Sequence, residues 1–424
     1  MDCRFQSPRS FRIGRRKTLC FAFCWFNLRR QGSRGMFLNV VSKQAWAWFM
    51  AFALVGQSGL WDAVGAPNEA KGKEWPQHRG NPELRGLASG ELGPKLKLIW
   101  TFETGEFLKS SAVVKDGRVF IGSDSGKLHA IDLKSGKEIW HFETTMAIEA
   151  APLLVGDMVY VGSTDGFLYA LEAKTGKLLW KYETEAEIIG AANHAVRPKS
   201  KNDVIVVGSY DNHVHCVDAK KGKGLWKFET NNYVNGVPTI LDGDKVVFGG
   251  CDAVLYMVGL EDGKLVRSVE VEAPIAASVA VADGIGYVGH FDNAVMAFDL
   301  QTGDVVWTYR AKNFPYYSSP AVTEKFTLIG GRDKGLHCID RVMGKAAWRF
   351  AARGRIDSSP VVCGDRVVFG TMDGKVHVLS LKDGKEVVSY EIGESISSTP
   401  CVVDGKIIVG CEDGNVYAFD TNPK

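Results

Sequence analysis

Residues 122–140 read GSDSGKLHAIDLKSGKEIW, and about forty positions later residues 162–180 read GSTDGFLYALEAKTGKLLW. The same pattern returns along the rest of the chain at a spacing of about 40 residues. Further copies begin at Gly208, Gly249, Gly289, Gly330 and Gly370, and a shortened eighth copy begins at Gly410. A period of this length predicts a solenoid, a propeller or another array, and not a pair of unrelated globular domains.

Each repeat predicts four short β-strands. The first is rich in small residues, and the second is a β-branched run such as residues 367–370. The third alternates, as in residues 127–132, and the fourth carries the tryptophan, as in residues 138–143. Asp-Gly, Ser-Gly and Thr-Gly pairs between them supply the positive φ of tight hairpins. Helical periodicity is missing, so the repeat predicts an all-β propeller of four-stranded antiparallel blades.

The two ends of the repeat region set the number of blades. The eighth copy stops at Asp420, before a fourth strand. Residues 98–104 (LIWTFET) match that missing strand, and Trp100 stands one period before Trp140. Pairing the two ends would remove the open edges of the ring. We therefore predict an eight-bladed β-propeller over residues 98–424, closed by its N-terminal strand.

This interpretation separates the strand at 98–104 from what precedes it. Residues 67–97 fall outside the repeat and are interpreted as an N-terminal extension. Deleting residues 98–104 should open the ring and cause aggregation, whereas deleting residues 67–90 should be far milder.

Residues 36–66 have the pattern of a secretory signal peptide. Lys43 supplies the positive charge, residues 45–55 (AWAWFMAFALV) the apolar region, and residues 64–66 (VGA) small residues for cleavage. The apolar run is too short for a comfortable membrane span. We expect an exported protein of the periplasm or cell envelope, with no stable membrane span in the mature chain.

Residues 1–35 do not fit in front of such a signal and are interpreted as an upstream extension. Met36 is one alternative start, and a twin-arginine signal around residues 15–17 is another reading of this stretch.

The charge distribution argues against nucleic acid as a partner. Ten of the 51 basic residues but only two of the 49 acidic residues fall within residues 1–66. The remainder therefore carries a net charge of about −6, although the whole chain is +2. A mildly acidic body without a basic stripe lacks the electrostatic footprint of a nucleic-acid-binding protein.

The repeat element Gly-x-x-(Asp/Asn)-Gly-x-Leu-x-Ala-(Leu/Ile)-Asp-x-x-Thr-Gly-Lys-x-x-Trp resembles the repeat of pyrroloquinoline quinone (PQQ) enzymes. The resemblance covers the chain from Leu98 to its end, and residues 75–82 (WPQHRGNP) look like the leader of exported PQQ-like repeat proteins. WD40 propellers match poorly, since here the tryptophan is followed by x-Phe/Tyr-Glu-Thr and not by aspartate.

The resemblance implies one of two functions. Quinoprotein dehydrogenases oxidise alcohols or sugars and need an aromatic plane under the quinone, a Ca²⁺ with six or more oxygen ligands and an Asp base. Many also use a Cys-Cys ring, and no Cys-Cys pair occurs in this chain. The other branch comprises non-catalytic eight-bladed propellers such as BamB, the outer-membrane assembly lipoprotein, which bind other proteins.

The tryptophans favour the second branch. After residue 66 they are Trp75, Trp100, Trp140, Trp180, Trp226, Trp307 and Trp348, and all but Trp75 occupy the same fourth-strand position. That position packs blade against blade, so no tryptophan is left to stack on a quinone, although Tyr or Phe could replace it. We expect a BamB-like binding or scaffold module with protein partners and no cofactor. The alternatives are a dehydrogenase with PQQ and Ca²⁺, and a propeller that senses carbohydrate or peptide.

The inner strand is the place where one blade differs from the next. Its channel position is predicted to hold Lys109, Glu149, Ile189, Asn235, Ala276, Tyr317, Asp357 and Ser397 in turn. Among these, Lys109, Glu149, Asn235, Tyr317 and Asp357 are the candidate polar lining for a small ligand, with a merely water-filled channel as the alternative. The stretch 314–317 (FPYY) breaks the repeat and marks a rim loop as the best single binding segment.

Recurring polar residues are interpreted as architecture. An aspartate at the turn recurs in seven of the eight copies, one per blade and too far apart to share one ion, and fits a turn-forming role. Histidines 129, 215, 337 and 377 recur in the third strand, where other copies have tyrosine, and fit a packing position. We therefore expect no catalytic, cofactor-binding or metal-binding residue. Six cysteines follow residue 66, an even number that permits disulfides, but small buried thiols are the expected reading.

Overall fold

The structure is a computed structural model that describes residues 74–422. The signal peptide predicted at residues 36–66, the upstream extension at 1–35 and the start of the segment 67–97 lie outside these residues. The described part is all β, and it contains no helix long and apolar enough to cross a membrane.

The strands form eight antiparallel blades of four strands each, which confirms the predicted fold. Two strands precede the first complete blade, β1 (Leu87–Ala88) and β2 (Lys97–Glu103). Blade one contains β3 (Val113–Lys115), β4 (Arg118–Gly122), β5 (Lys127–Asp132) and β6 (Glu138–Glu143). Blade two contains β7 (Leu153–Val155), β8 (Met158–Gly162), β9 (Phe167–Glu172) and β10 (Leu178–Glu183). Blade three contains β11 (Asn193–Val196), β12 (Asp203–Gly208), β13 (His213–Asp218) and β14 (Gly224–Glu229). Blade four contains β15 (Thr239–Leu241), β16 (Lys245–Gly249), β17 (Val254–Gly259) and β18 (Leu265–Glu270).

The second half of the ring repeats the arrangement. Blade five contains β19 (Ala280–Ala282), β20 (Ile285–Gly289), β21 (Val295–Asp299) and β22 (Val305–Tyr309). Blade six contains β23 (Ala321–Val322), β24 (Phe326–Gly330), β25 (Gly335–Asp340) and β26 (Ala346–Ala351). Blade seven contains β27 (Val361–Cys363), β28 (Arg366–Gly370), β29 (Lys375–Ser380) and β30 (Glu386–Glu391). Blade eight contains β31 (Cys401–Val403), β32 (Lys406–Gly410) and β33 (Asn415–Asp420) and is completed by β2.

Ring closure follows the predicted pairing. Strand β2 lies antiparallel to β33, with Thr101 opposite Tyr417 and Phe102 opposite Val416. The first strands of neighbouring blades contact one another, and β3 of blade one contacts β31 of blade eight. The first strands therefore surround the central channel, and the fourth strands form the outer wall.

The repeated tryptophan and glycine form the seams between blades. Trp100 Nε1 donates to the Leu133 carbonyl of the next blade at 2.9 Å, and its ring covers Gly136. Gly136 has a φ of +69°, and a Cβ there would lie 2.7 Å from the ring, so only glycine fits. The same Nε1–carbonyl bond recurs in five more blades at Trp140, Trp180, Trp226, Trp307 and Trp348. These six tryptophans therefore pack between neighbouring blades, as the repeat predicted.

Residues 75–88, which precede β2 and which we call the crossing segment, run across the channel. Carbonyls of this segment accept hydrogen bonds from the same amide of the first strand in six of the eight blades. The pairs are Trp75 with Val114, Pro76 with Leu154, Pro82 with Ile240, Glu83 with Val281, Arg85 with Val322, and Gly86 with Val362. Strand β1 continues this pairing parallel to β27. First strands are the inner edges of their blades, so the segment satisfies N–H groups that would otherwise face the channel unpaired.

No disulfide joins the six cysteines within residues 74–422, and all six are buried. This agrees with the interpretation of these residues as small core side chains.

Candidate functional site

A cavity of about 190 Å³ lies in the central channel. It is lined by the variable position of the first strands, including Lys109, Glu149, Asn235 and Tyr317 of the predicted set. Ile189, Ala276 and Ser397 from the same position line it too. Asp357 is not among the lining residues. The structure thus brings together four of the five predicted side chains in one cavity.

The crossing segment forms the floor of this cavity. His78 lines it from below, and burial together with the neighbouring charge of Arg79 lowers the pKa of His78 to about 3. Arg79 is fully buried and donates to the carbonyls of Pro320 and Pro360 at 2.9 and 2.8 Å. Leu84 packs on the opposite half of the channel. The cavity therefore opens away from the crossing segment.

The channel positions two residues beyond the variable position, which we call the waist, form a polar half and an apolar half. The crossing segment contacts both halves. Two residues beyond the variable position, blades five to eight and one carry Ser278, Ser319, Ser359, Thr399 and Ser111, whereas blades two to four carry Ala151, Ala191 and Val237. Leu84 packs against those three apolar residues, while Arg79 bonds blades six and seven. The sequence analysis missed this match, because residues 74–93 carry no repeat.

An ion-pair cluster occupies one wall of the cavity. Lys109 Nζ lies 2.8 Å from Glu149 Oε1 and 3.4 Å from Asp124 Oδ2. Burial raises the pKa of Asp124, as do the nearby charges of Glu149 and Glu412, and Lys109 opposes this rise. The cluster is partly exposed, so its net contribution to stability is small. It leaves both donors and acceptors at the cavity wall.

Tyr317 and Asp357 meet through a third residue on the opposite wall. Arg332 donates to both carboxylate oxygens of Asp357 at 3.0 and 2.9 Å, and its guanidinium carbon lies 3.4 Å from the centre of the Tyr317 ring. Phe291 meets the same ring edge to face at 4.7 Å. Asp357 is thus neutralised by an arginine and not aimed into the cavity. Arg332, Phe291 and Asp124 all stand two residues after the repeat glycine, a variable position that the sequence analysis did not examine.

Asn235 and Ser397 connect the cavity to the same set of turns. Asn235 Nδ2 donates to Cys251 Sγ at 3.2 Å, and its Oδ1 is buried without a hydrogen-bond partner among the described residues. Ser397 Oγ donates to Glu412 Oε1 at 2.7 Å. A buried acceptor therefore remains unpaired at Asn235 within the described part of the chain.

Exposed apolar side chains surround the open mouth of the channel. They stand in the rim loops, which we define as the links from the fourth strand of one blade to the first strand of the next. Phe107, Met146, Tyr233 and Phe314 are 62%, 55%, 44% and 48% exposed. Sequence reasoning found Phe314 through its broken repeat and missed the other three, which fit the repeat length. Tyr233 also stacks on Tyr210 at 4.6 Å.

Five of the recurring aspartates, and the recurring histidines, have hydrogen-bond partners within their own blades. Asp165, Asp252 and Asp413 accept from the tyrosine four residues later, and Asp211 and Asp333 bond His215 and His337 in the same way. Burial alone would raise the pKa values of Asp211 and Asp333, but the bonded histidines hold both at about 2. His129 and His377 bond Glu138 and Glu386 instead. These contacts agree with a turn-forming and packing role.

The channel residues do not fit PQQ with Ca²⁺. Ca²⁺ takes six to eight oxygen ligands, yet Glu149, Asp124 and Asp357 are each paired with Lys109 or Arg332. The six repeated tryptophans are held in the seams, and one face of Tyr317 carries Arg332. The cavity of about 190 Å³ is also smaller than the roughly 300–1,000 Å³ of ordinary small-molecule sites. We derive no chemical step through this cofactor.

Comparisons with known proteins agree on the architecture. The family described as outer membrane protein assembly factor BamB matches residues 93–212, 186–252, 210–321 and 332–423. No match is found among curated proteins. BamB from Moraxella catarrhalis is similar in structure, with a TM-score of 0.66 and 19% identity over 77% of this chain and 98% of its own.

Two enzymes share the fold as well. A europium-containing methanol dehydrogenase gives a TM-score of 0.69 with 14% identity, over 83% of this chain and 99% of its own. A quinohemoprotein alcohol dehydrogenase from Comamonas testosteroni gives 0.70 with 15% identity, over 84% of this chain and 82% of its own. At these identities the likeness concerns the fold alone.

Proposed function

Because this chain belongs to the family of the outer membrane protein assembly factor BamB, we propose that it is a non-catalytic binding module of the cell envelope whose ligand is another protein. The observation that carries this proposal is the set of exposed apolar side chains on the rim loops, Phe107, Met146, Tyr233 and Phe314. Large apolar and aromatic side chains grouped at one surface are typical of protein-binding sites.

The two mouths of the channel support a one-sided interface. One is crossed by residues 75–88, whose carbonyls are already bonded to the inner strands. The other is surrounded by the rim loops and leads into the small polar cavity. A partner segment that docks on the rim can place one polar side chain over Lys109, Glu149 and Asn235, and its apolar residues on the surrounding side chains.

Photo-crosslinking tests this assignment. A benzophenone amino acid replaces Phe107 or Phe314 in the native host, and Leu179 on the outer wall, which is 48% exposed, serves as the matched control. We expect a discrete adduct with an envelope protein from both rim positions and none from Leu179. Adducts from all three sites with equal yield, or from Leu179 alone, would contradict a rim interface.

Location is a separate part of the proposal. We propose that the mature protein begins near Pro67 after export. Mass spectrometry of the protein from fractionated cells should show an N-terminus close to this residue in the periplasmic or membrane fraction. An intact N-terminus in the cytoplasmic fraction would contradict export.

The quinoprotein reading has the structural likeness of two dehydrogenases in its favour and the cavity residues against it. Titration of purified protein with PQQ and Ca²⁺ separates the two readings. We expect no saturable change in quinone absorbance and no dye-linked oxidation of alcohols or glucose. Saturable binding with turnover would overturn the binding-module proposal.

A further inference from the structure

Asp211, His213 and His215 bring three metal-binding groups together where β13 begins in blade three. His215 Nε2 lies 2.9 Å from Asp211 Oδ2, and His213 Nδ1 lies 3.5 Å from Asp211 Oδ1 and 2.8 Å from the Asp211 backbone oxygen. One ligand atom from each residue falls within 4.8 Å of the others. Alternation along the strand sends the side chains of residues 213 and 215 to the same side. The three groups can therefore close around one ion with small side-chain movements.

The repeat supplies only part of this cluster. Blades two, four and six also place a tyrosine or histidine four residues after the turn aspartate, and that residue bonds the aspartate. The position between them, two residues after the aspartate, holds Phe167 in blade two, Val254 in blade four and Gly335 in blade six. Among the eight blades of residues 74–422, blade three alone has histidine at both positions. His213 thus adds a third ligand that packing does not require.

A neighbouring tyrosine can hydrogen-bond His215 in either of the two neutral tautomers that the site needs. Tyr182 of blade two lies with its hydroxyl 3.1 Å from His215 Nδ1. Without metal, Nε2–H donates to Asp211 and Nδ1 accepts from the hydroxyl. With metal on Nε2, Nδ1–H donates to the hydroxyl oxygen, because a phenol can both donate and accept. Such an outer hydrogen bond is the usual support of a metal-binding histidine.

The surroundings favour binding of a cation. The side chains of Asp211 and His215 are 3% exposed, and that of His213 is 15% exposed. His213 is therefore the most solvent-accessible of the three side chains, and an ion would reach the buried carboxylate from its side. Lys227, opposite His215 across the strand pair, has its ammonium 3.6 Å from Glu185 and is half exposed, so it faces outward. Backbone N–H groups of Glu185 and His213 fix the orientation of the carboxylate.

We propose that Asp211, His213 and His215 form a binding site for a divalent transition metal, with Zn²⁺ as the preferred ion. Two imidazoles and one carboxylate are ligands that Zn²⁺ accepts, and three protein ligands leave one coordination position for water or for a group from a partner. The site lies in the seam between blades two and three, next to the loop at Glu185. It would bind metal independently of the proposed partner function.

Spectroscopy with Co²⁺ as a substitute ion tests the site. Full-length protein without an affinity tag is freed of metal with a chelator, dialysed and titrated with CoCl₂, and then with ZnCl₂ in competition. We expect one equivalent of Co²⁺ to give visible absorption bands of a low-coordinate site, and Zn²⁺ to displace it. The melting temperature should rise with Zn²⁺ concentration, because only the folded state binds.

Two variants replace a histidine of the site with the residue that another blade carries at the same position. His213→Phe copies blade two and leaves the Asp211–His215 bond intact, and His215→Tyr restores the tyrosine of Asp165, Asp252 and Asp413. Both should fold as the parent protein does and weaken Zn²⁺ at least about 100-fold, more than loss of an outer hydrogen bond. His141→Ala, which removes an exposed histidine near Glu138, is the control and should leave binding unchanged.

The proposal fails if the parent protein binds no Co²⁺ or Zn²⁺ up to millimolar concentration. It fails equally if His213→Phe binds as tightly as the parent, or if His141→Ala abolishes binding, since the ion would then sit elsewhere.

Discussion

Two neighbouring pieces of the N-terminal region complete the ring in different ways. Strand β2 bonds along its whole length to a single partner, β33, and supplies the outer strand of blade eight. Residues 75–88 bond one amide in each of six blades and run across the inner edges. The first piece continues the repeat, and the second has no counterpart in it. Both bury side chains, Trp100 in a seam and Arg79 with Leu84 in the channel.

This contrast shows that the repeat provides the strand that completes the last blade, but it provides no partner for the first strands at the channel. Each of the eight first strands pairs on one edge with the second strand of its own blade. The repeat leaves its other edge, which faces the channel, without a partner strand. A segment with carbonyls spaced to reach six of these strands satisfies that edge, and its side chains then fit the polar and apolar halves of the waist. The buried contacts of Trp75, Arg79 and Leu84 predict a severe loss of stability on deletion of residues 67–90, and not the mild effect expected from the sequence.

The largest single effect should come from the closing strand. Trp100→Ala removes a buried indole, its bond to the Leu133 carbonyl and its contact with Gly136. Loss of a buried tryptophan costs about 3–5 kcal/mol. Denaturant unfolding should show that decrease in the free energy of unfolding, with aggregation as the ring opens. A loss below about 1 kcal/mol would mean that β2 does not close the ring.

The crossing segment should come next. Leu84→Ala leaves a cavity against Ala151, Ala191 and Val237, and a buried leucine costs about 2–4 kcal/mol on truncation. The same unfolding assay measures it. Leu179→Ala, on the outer wall, is the matched control and should change stability by less than about 0.5 kcal/mol. Equal effects of the two leucine variants would show that the segment does not pack in the channel.

Acid should destabilise the protein in part through the crossing segment. The pKa of His78 is about 3 in the folded protein against 6.5 unfolded, because burial and Arg79 disfavour the charged form. Between these values the unfolded chain binds a proton that the folded chain does not, so stability falls as pH falls below 6.5. His129, His290 and His377 shift in the same direction, so the comparison must isolate His78.

His78→Gln provides that comparison. Between pH 7 and pH 5, His78→Gln should lose about 1–2 kcal/mol less stability than the parent protein does. Melting temperatures at the two pH values measure it. Parallel curves for parent and variant would show that His78 titrates as it does in water.

The smallest effect should come from the exposed side of β2. Ile99 is 37% exposed, and Ile99→Thr keeps a β-branched residue in a strand. Its free energy of unfolding should stay within about 0.5 kcal/mol of the parent. A larger loss would indicate that the outer wall of blade eight is covered by further structure.

The sequence predicted those parts that recur. Trp100 could be assigned to a missing strand because five other blades carry the same tryptophan in the same seam. The variable channel position was found by the same logic, and it led to the cavity at Lys109, Glu149, Asn235 and Tyr317. Arg332 was not found, because its role depends on reaching Asp357 and Tyr317 from a different turn. The contacts of residues 75–88 were missed because most are made with backbone groups of the first strands, which leave no side-chain pattern to read.

Hydrogen–deuterium exchange tests the central claim, that both N-terminal pieces are part of the closed ring. Peptides covering residues 75–88 and 97–103 are followed by mass spectrometry in the intact protein, together with peptides that contain Leu154, Ile240, Val281 and Val322. We predict that both N-terminal peptides are protected to a similar degree and that Leu84→Ala raises exchange in 75–88 and in those first strands. Exchange of 75–88 at the rate of an unstructured peptide, beside a protected 97–103, would contradict the account.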